Sequence, residues 1–598
     1  MKPTTEILES IYQNSRTHPA EVFTRLYRYL LRPDIYFMAY KHLYANSGAA
    51  TRGVNDDTVD GFSEAKVQKI IEQLSDGTYR PHPVRREYIE KNNGSGKRRP
   101  LGIPTFTDKL VQEAVRMLLE AVYEPIFSPM SHGFRPGKSC HTALKTVKYE
   151  FGGVRWFIEG DIRGCFDAID HAVLMERIQA KIKDARFMQL LWKFLKAGYM
   201  EDSKYHATYS GTPQGGIISP ILANIYLHEL DKHVASMKKA FYTPPAQEFT
   251  YEYNYARGKV YALSKAIRKS TGEERAQLVL QWKEARATMM KIPAKSQTDK
   301  AICYVRYADD FLLGVRGDKQ DCEKIKADLK AFIGKALHME LSEEKTYITH
   351  SNTSARFLGY DIRIRRDNKL KNVKGLTHRT LSNKTEMNAP LQDKIEKFLF
   401  SRGVVEQHDG TLEPVKRGHL TRLTPLEILQ TYNAELRGLC NYYCMASNFP
   451  SLTYFAYLME YSCLKTLAAK FKSSIGGIKQ QFRDGQGRWG IPYETKKGMR
   501  RMYFAKFQDC KTTQRACRDT VENTALQHFH TRNSLEARLK SKVCELCGST
   551  DAASYELHHV RKVKDLKGKS EWERCMIAKR RKTLAVCKEC HLKIHGKK

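Results

Sequence analysis

The sequence predicts an α+β protein of several domains. Three observations carry that expectation. The chain is 598 residues long, and at roughly 100–200 residues per domain it has room for three to five, each able to bury a core. Strand-like apolar runs alternate with helical periodicity to about residue 365, after which helical stretches dominate. The pairs Cys544/Cys547 and Cys587/Cys590 frame a separate small module at the C-terminal end.

In chain order, residues 1–365 read as one block, broken by a polar stretch over about 241–300 that is rich in Lys, Arg, Glu and Gln and predicts surface helices inserted between two core elements. A basic, poorly periodic junction follows at Arg365–Lys384. The runs LQDKIEKFLF and TPLEILQTYNAELRGLCNYYCMASNF then predict helices, in a segment assigned to 366–485. Gly476, Gly477, Gly485, Gly487 and Gly490 mark a loop-rich change, leaving a basic segment with interleaved aromatics at 486–540 and the cysteine module at 541–598.

Charge narrows the class. Lys and Arg number 101 against 66 Asp and Glu, a net +35, of which +8 lies in the last 58 residues. A surplus of that size suits a polyanionic partner, and nucleic acid is the usual one. No run approaches the roughly 18 apolar residues of a membrane helix, so no membrane partner is expected. The start, MKPTTEILESIYQNSRTHPAEVF, lacks a signal-peptide core. Cys140, Cys165, Cys303 and Cys322 are scattered singly, as reduced thiols are. Together these predict a bacterial cytoplasmic protein, with an organelle left open.

The carboxylates point to chemistry. In YVRYADDFLLGV (Tyr304–Val315), apolar runs flank two adjacent acids, which predicts strand, tight turn, strand. Neighbouring like charges are tolerated at such a tip when solvated or when a cation neutralises both. In WFIEGDIRGCFDAID, Asp161 follows a similar apolar run. Three carboxylates from two strand ends suit two hard cations roughly 4 Å apart, the arrangement that serves in-line phosphoryl displacement.

With this order of motifs, residues 1–365 resemble a reverse transcriptase. The resemblance makes YADD the metal-binding hairpin and implies that Asp161, Asp309 and Asp310 are catalytic and hold two Mg²⁺, with Asp310 either a ligand or a structural neighbour. KRRPLGIPTFTDKLVQEA (Lys97–Ala114) is similar to the fingers element that holds the triphosphate, which implies nucleotide binding by Arg99 and by Lys91 as a second cation. SHGFRPGKSCHTAL (Ser131–Leu144) resembles a template-positioning motif. GTPQGGIISPILANIYLHELD (Gly211–Asp231) resembles the nucleotide pocket, with Gln214 and Gly215 in its PQG. Glycine there permits close backbone approach to a ligand. Phe166 falls where the family places an aromatic against the sugar, so dNTPs are expected over rNTPs, with ordinary core as the alternative. LSEEKT and ARFLGYDI complete the series, and Lys345 either aids proton transfer to pyrophosphate or pairs with a phosphate.

Downstream, YNAELRGLCNYYCMASNF (Tyr432–Phe449) resembles the maturase, or thumb, of group II intron-encoded proteins. That family implies intron RNA and target DNA as partners, within a ribonucleoprotein, with the 486–540 segment on the DNA. Arg437, Tyr442 and Tyr443 offer a guanidinium and aromatic faces to RNA, although on the residues alone helix packing is the stronger reading of the tyrosines.

The C-terminal module is informative by itself. Its two CxxC knuckles, 43 residues apart from Cys544 to Cys587, suit a closed structural Zn²⁺ site of Cys544, Cys547, Cys587 and Cys590. Between and after them lie YELHHV (Tyr555–Val560) and HLKIH (His591–His595), and histidines four apart on a helix share a face. The arrangement resembles the HNH, or ββα-metal, nuclease. It implies His559 as general base, with His558, His591 and His595 holding a divalent ion, Mg²⁺ by expectation. Glu556 either orients a histidine or contacts the metal. The family's middle asparagine is missing: Arg561–Cys590 contains no Asn, and Lys582 or Thr583 stands near its place.

The resulting expectation is a right-hand reverse transcriptase of fingers and palm, an α-helical thumb and a small zinc-containing ββα-metal domain. Its activities would be RNA-directed DNA synthesis, maturase-assisted splicing and cleavage of one DNA strand. A catalytically silent splicing factor and an RNA-independent nuclease are the alternatives, and the presence of Asp161, Asp309, Asp310 and His559 together weighs against the first.

Overall fold

The centre of the molecule is a four-stranded antiparallel sheet in the order Ala301–Tyr307, Asp310–Arg316, Trp156–Asp161, Ile348–His350. The computed structural model describes residues 2–46, 48–90, 98–212, 215–295, 298–367, 369–373, 376–379, 383–495, 498–511 and 534–596. The middle strands read as continuous apolar runs because both faces are covered. Ile158, Tyr304 and Leu313 point into a core shared with the helices Phe106–Tyr123, Ser219–Phe241 and Lys319–Leu337. Their neighbours Phe157, Val305 and Leu312 point the other way, into a core shared with the C-terminal helices.

The fingers carry the hairpin Val84–Glu90/Arg98–Ile103, extended by the short strands Tyr199–Glu201 and Lys204–His206. Between fingers and palm runs Phe106–Tyr123, a helix with all but two of its residues buried, capped by the Thr105 hydroxyl on the Asp108 amide. The polar insertion is an antiparallel pair of helices, Tyr251–Ile267 and Gly272–Lys291, with no buried residue in either. Two backbone hydrogen bonds between Thr243 and Lys300 close its neck.

Two expected boundaries are not structural breaks. Tyr360–Arg365 pairs along its length with Lys384–Asn388, so one sheet spans the basic junction at 365. Likewise the hairpin Gly490–Thr495/Gly498–Tyr503 continues the thumb: Asn433, on the helix Pro425–Tyr442, donates to the Tyr503 carbonyl and accepts from the Ala505 amide, both at 2.8 Å. Phe504, Phe507 and Cys510 belong to the same core as the long thumb helix Leu452–Phe471.

The C-terminal module has the expected ββα order, Tyr555–His559, Thr583–Cys587, Lys588–Ile594. Its sheet has a third strand from far upstream: Phe62–Ser63, from the N-terminal part of the chain, pairs antiparallel with Tyr555–His559. The preceding helix Ser534–Lys540 also belongs here. Its Arg538 binds Glu545 at 2.5 Å and donates to the Thr583 carbonyl and hydroxyl.

Candidate polymerase and nuclease centres

Asp161 ends one palm strand and Asp310 begins the next, and the two are register partners. Asp309 shares with Ala308 the two-residue turn that joins Ala301–Tyr307 to Asp310–Arg316, and the Ala308 φ of 57° is unusual for a residue with a side chain. The turn is held from beneath. Arg306 is fully buried and donates to the Ala308 carbonyl at 2.8 Å, to both Asp231 oxygens at 2.7 and 2.8 Å, and to Ser131 Oγ at 2.9 Å. Asn224 holds the Gly133 carbonyl at 2.8 Å. A Cβ on Gly133 would stand 2.3 Å from the Ala308 nitrogen, so only glycine lets this loop lie against the turn.

Sequence reasoning did not single out Arg306, Asp231 or Asn224. The available signal was a charged residue at an inward-facing position of an otherwise apolar strand. The motif Ser131–Leu144, expected to position template, contributes here to the platform beneath the aspartates.

Burial, with Asp309 and Asp161 close by, pushes the Asp310 carboxyl up to about 7. Asp309 is raised for the same reasons, opposed by Arg99 and Lys345. Lys345 donates to Asp161 Oδ2 at 2.7 Å, which raises the ammonium pKa. Carboxylates that resist ionisation until a cation arrives fit a divalent-metal site. Among the described residues, the clusters with all ligand atoms within 4.8 Å of one another are the four cysteines of the C-terminal module and a set that joins three of its histidines to Asp60 of the N-terminal part.

Arg99 is exposed on the fingers hairpin opposite Ile89, with its charge reaching Asp309. Phe166 is half-buried, its carbonyl bound by the Thr212 amide at 2.8 Å and its ring edge-on to Phe134 at 6.2 Å. Phe134 is exposed, has a φ of 56°, and escaped sequence reasoning. Gly215 permits a close approach, as expected, but the partner is the fingers strand: a Cβ would stand 2.6 Å from Leu101 Cδ1 and 2.8 Å from the Gly102 carbonyl. Lys91 and Gln214 lie outside the described residues.

In the thumb one expectation is corrected. Tyr443 is 6% exposed, and its hydroxyl donates to the Gly359 carbonyl. Tyr442 donates to the Leu358 carbonyl at 2.6 Å and packs against Tyr360 and Tyr443. The pair locks the thumb helix onto the palm, so these rings are not free platforms for bases. Arg437 is exposed. An aromatic row that the sequence reading missed, Tyr454, Tyr457 and Tyr461, lies along the next helix, with the first two about half exposed and Lys479 over the third.

In the C-terminal module the ligand atoms of Cys544, Cys547, Cys587 and Cys590 all lie within 4.8 Å, with Cys547 and Cys587 sulfurs 3.9 Å apart. Sulfurs about 3.8 Å apart are what a tetrahedron with 2.3 Å Zn–S bonds requires, so the set fits zinc. A second cluster joins His558, His591 and His595 with a residue sequence reasoning missed, Asp60. Both ring nitrogens of His558 are buried without a hydrogen-bond partner; Nδ1 lies 3.2 Å from Asp60 Oδ1 but is not aligned to bond it. Glu556 lies 2.5 Å from His591 Nδ1, leaving Nε2 toward the cluster. Burial lowers the His591 pKa, but hydrogen bonds to Asp60 and Glu556 outweigh it and raise it to about 9. Orphaned nitrogens beside carboxylates fit a divalent ion.

His559 points to the opposite side of its strand. Its Nε2 lies 3.1 Å from the Tyr44 carbonyl and its Nδ1 is buried without a partner. Opposite it in register stands Thr583, where the family's asparagine is lacking, tied down by Arg538.

Fold and sites define a template-copying polymerase that carries a nuclease module. Family models agree. Reverse transcriptase (RNA-dependent DNA polymerase) matches residues 89–253 and 285–362, type II intron maturase 382–526, and AI2M/AI1M-like HNH endonuclease 544–591. The group II intron-encoded protein LtrA of Lactococcus lactis subsp. cremoris is 57% identical over 593 residues, covering 99% of each chain. A putative COX1/OXI3 intron 2 protein of Saccharomyces cerevisiae is 31% identical, over 98% of this chain and 68% of its own. Protein YkfC of Escherichia coli is 35% identical over 58% of this chain and 84% of its own. The chain therefore belongs to the group II intron-encoded proteins, as a multifunctional reverse transcriptase, maturase and HNH endonuclease. Both catalytic families use divalent metals, and maturase membership implies intron RNA as a partner. Among the described residues no helix is long and apolar enough to cross a membrane.

Proposed function

We propose that the chain performs target-primed reverse transcription. Bound to its intron RNA in the bacterial cytoplasm, it directs reverse splicing into one strand of a target DNA. The nuclease cuts the other strand, and the new 3′-hydroxyl primes copying of the RNA with dNTPs. Labour divides between an N-terminal polymerase, a thumb that meets intron RNA, a basic segment after it that meets target DNA, and the C-terminal module that cuts. The sheet across residue 365 and the hairpin Gly490–Tyr503 nevertheless join neighbouring parts.

The observation that carries the polymerase reading is the register pairing of Asp161 with Asp310, with Asp309 in the adjoining turn. Two Mg²⁺ there would stabilise charge on the entering and leaving oxygens, a divalent ion at the histidines would polarise the scissile phosphate, and Zn²⁺ on the four cysteines would brace the module. Asp161, Asp309 and Asp310 orient the reacting groups along the strand ends. Arg99, with Lys91, draws the triphosphate to the fingers; Phe166, with Phe134 at its edge, abuts the sugar; Gln214 and Gly215 line the pocket; and Lys345 moves from Asp161 to the departing phosphate. Arg437 and the row Tyr454–Tyr461 meet RNA.

At the nuclease, His559 receives the proton of the attacking water. With Nε2 donating to the Tyr44 carbonyl, its Nδ1 keeps a free lone pair. His558, His591 and His595 hold the ion.

The test is magnesium-dependent dTTP incorporation on poly(rA)/oligo(dT). The wild type incorporates and Asp309→Asn falls to background. Incorporation by the variant at the wild-type rate, or none by either protein with RNA binding intact, would overturn the polymerase assignment.

A further inference from the structure

The nuclease cluster is not completed by the nuclease module. Asp60 belongs to the N-terminal part of the chain, yet its carboxylate shares the cluster of His558, His591 and His595, with all ligand atoms within 4.8 Å. Its Oδ2 lies 2.7 Å from His595 Nε2, and its Oδ1 3.3 Å from His591 Nε2. We propose that Asp60 is a fourth ligand of the nuclease metal, lent across the domain boundary, so that the ion clamps the nuclease onto the N-terminal part of the chain. The proposal rests on the reading of the three histidines as metal ligands.

Three further features make this a built arrangement. The carboxylate is aimed by the His559 backbone amide, which donates to Oδ1 at 2.7 Å. Gly61, at a φ of +76°, then turns the chain into the nuclease sheet, its amide bonding the Leu557 carbonyl at 3.1 Å. Phe62 and Ser63 pair with Leu557 and Glu556, and Phe62 is fully buried against Phe37 and Tyr40 of the N-terminal helices. The strand thus has one end in each domain and delivers Asp60 between them.

Chemistry supplies the consequence. Three imidazoles and a carboxylate would complete a tetrahedral ion and would leave an octahedral ion two further positions. The N-terminal part also holds His559 through the Tyr44 carbonyl, so both halves of the nuclease centre are restrained together. Separating the nuclease from the polymerase body would require the Phe62–Ser63 strand to leave the sheet.

The test is a cobalt(II) titration of the full chain with its cysteine site loaded with zinc. Visible absorption of four-coordinate cobalt on nitrogen and oxygen reports the histidine cluster, and thiolate charge transfer reports any exchange into the cysteines. Asp60→Asn and Asp60→Ala should weaken cobalt binding about tenfold or more, with His591→Ala abolishing it. Cobalt should also slow hydrogen exchange at the Gly61 amide in the wild type and not in Asp60→Asn.

Equal cobalt affinity in wild type and both Asp60 variants, with His591→Ala still defective, would overturn the proposal and leave the histidine site standing. Weaker binding without the difference in exchange would overturn the clamp. No cobalt binding in the wild type would sink the histidine reading itself.

Discussion

At the scale of single residues, the polymerase centre depends on a side chain that touches no substrate. Arg306 has no exposure and spends its donors on Asp231, Ser131 and the Ala308 carbonyl. Removing one partner of a buried pair strands the other charge, at a cost of about 3–5 kcal/mol. Arg306→Leu should therefore lower the unfolding free energy of the palm by that order and abolish incorporation, as read by denaturant titration beside the homopolymer assay. Asp231→Asn should do less, because the amide keeps part of the hydrogen bonding. The aspartates themselves were legible because two acids interrupt apolar strand runs. Arg306 was visible in the same run, but its partners were not, since nothing local says which helix will cover an inward-facing charge.

At the scale of elements, close approaches fix the geometry. A methyl on Gly133 would meet the Ala308 backbone at 2.3 Å, so Gly133→Ala must displace the turn that carries Asp309. A shift approaching 1 Å in a reacting group costs on the order of 100-fold. The expected result is a loss of that order in kcat with primer–template affinity retained, measured by single-turnover incorporation alongside binding. In the C-terminal module the zinc set is the element's brace. Removing it by Cys587→Ser should unfold the module and abolish DNA cleavage, while homopolymer copying continues; cleavage assays and zinc content read this together.

Most elements were legible from periodicity, and the zinc knuckles from spacing alone. Pairing partners were not. The strand Lys384–Asn388 lies beyond a basic, aperiodic junction yet joins the Tyr360–Arg365 strand. Phe62–Ser63 is two residues long and pairs with a strand almost five hundred positions away, too short to leave a pattern. Tyr442 and Tyr443 show the converse: their helix was evident, but an aromatic face suits a palm as well as an RNA base, and here it meets the palm.

At the scale of the molecule, the sheet of the palm separates two cores, one shared with the fingers side and one with the thumb. The nuclease is stitched to the former by the Phe62–Ser63 strand and by Asp60. Polymerase and nuclease are thus parts of one body whose products feed each other: a cut by the second supplies the primer for the first. The measurement that tests this most directly follows a labelled target duplex in the reconstituted ribonucleoprotein, reading second-strand cleavage and cDNA extension in the same lanes. His559→Ala should lose both signals on the target while still extending oligo(dT) on poly(rA), and Asp309→Asn should cut but not extend. Extension at the target site by His559→Ala at the wild-type rate would contradict the account, because the primer would then come from somewhere other than this nuclease.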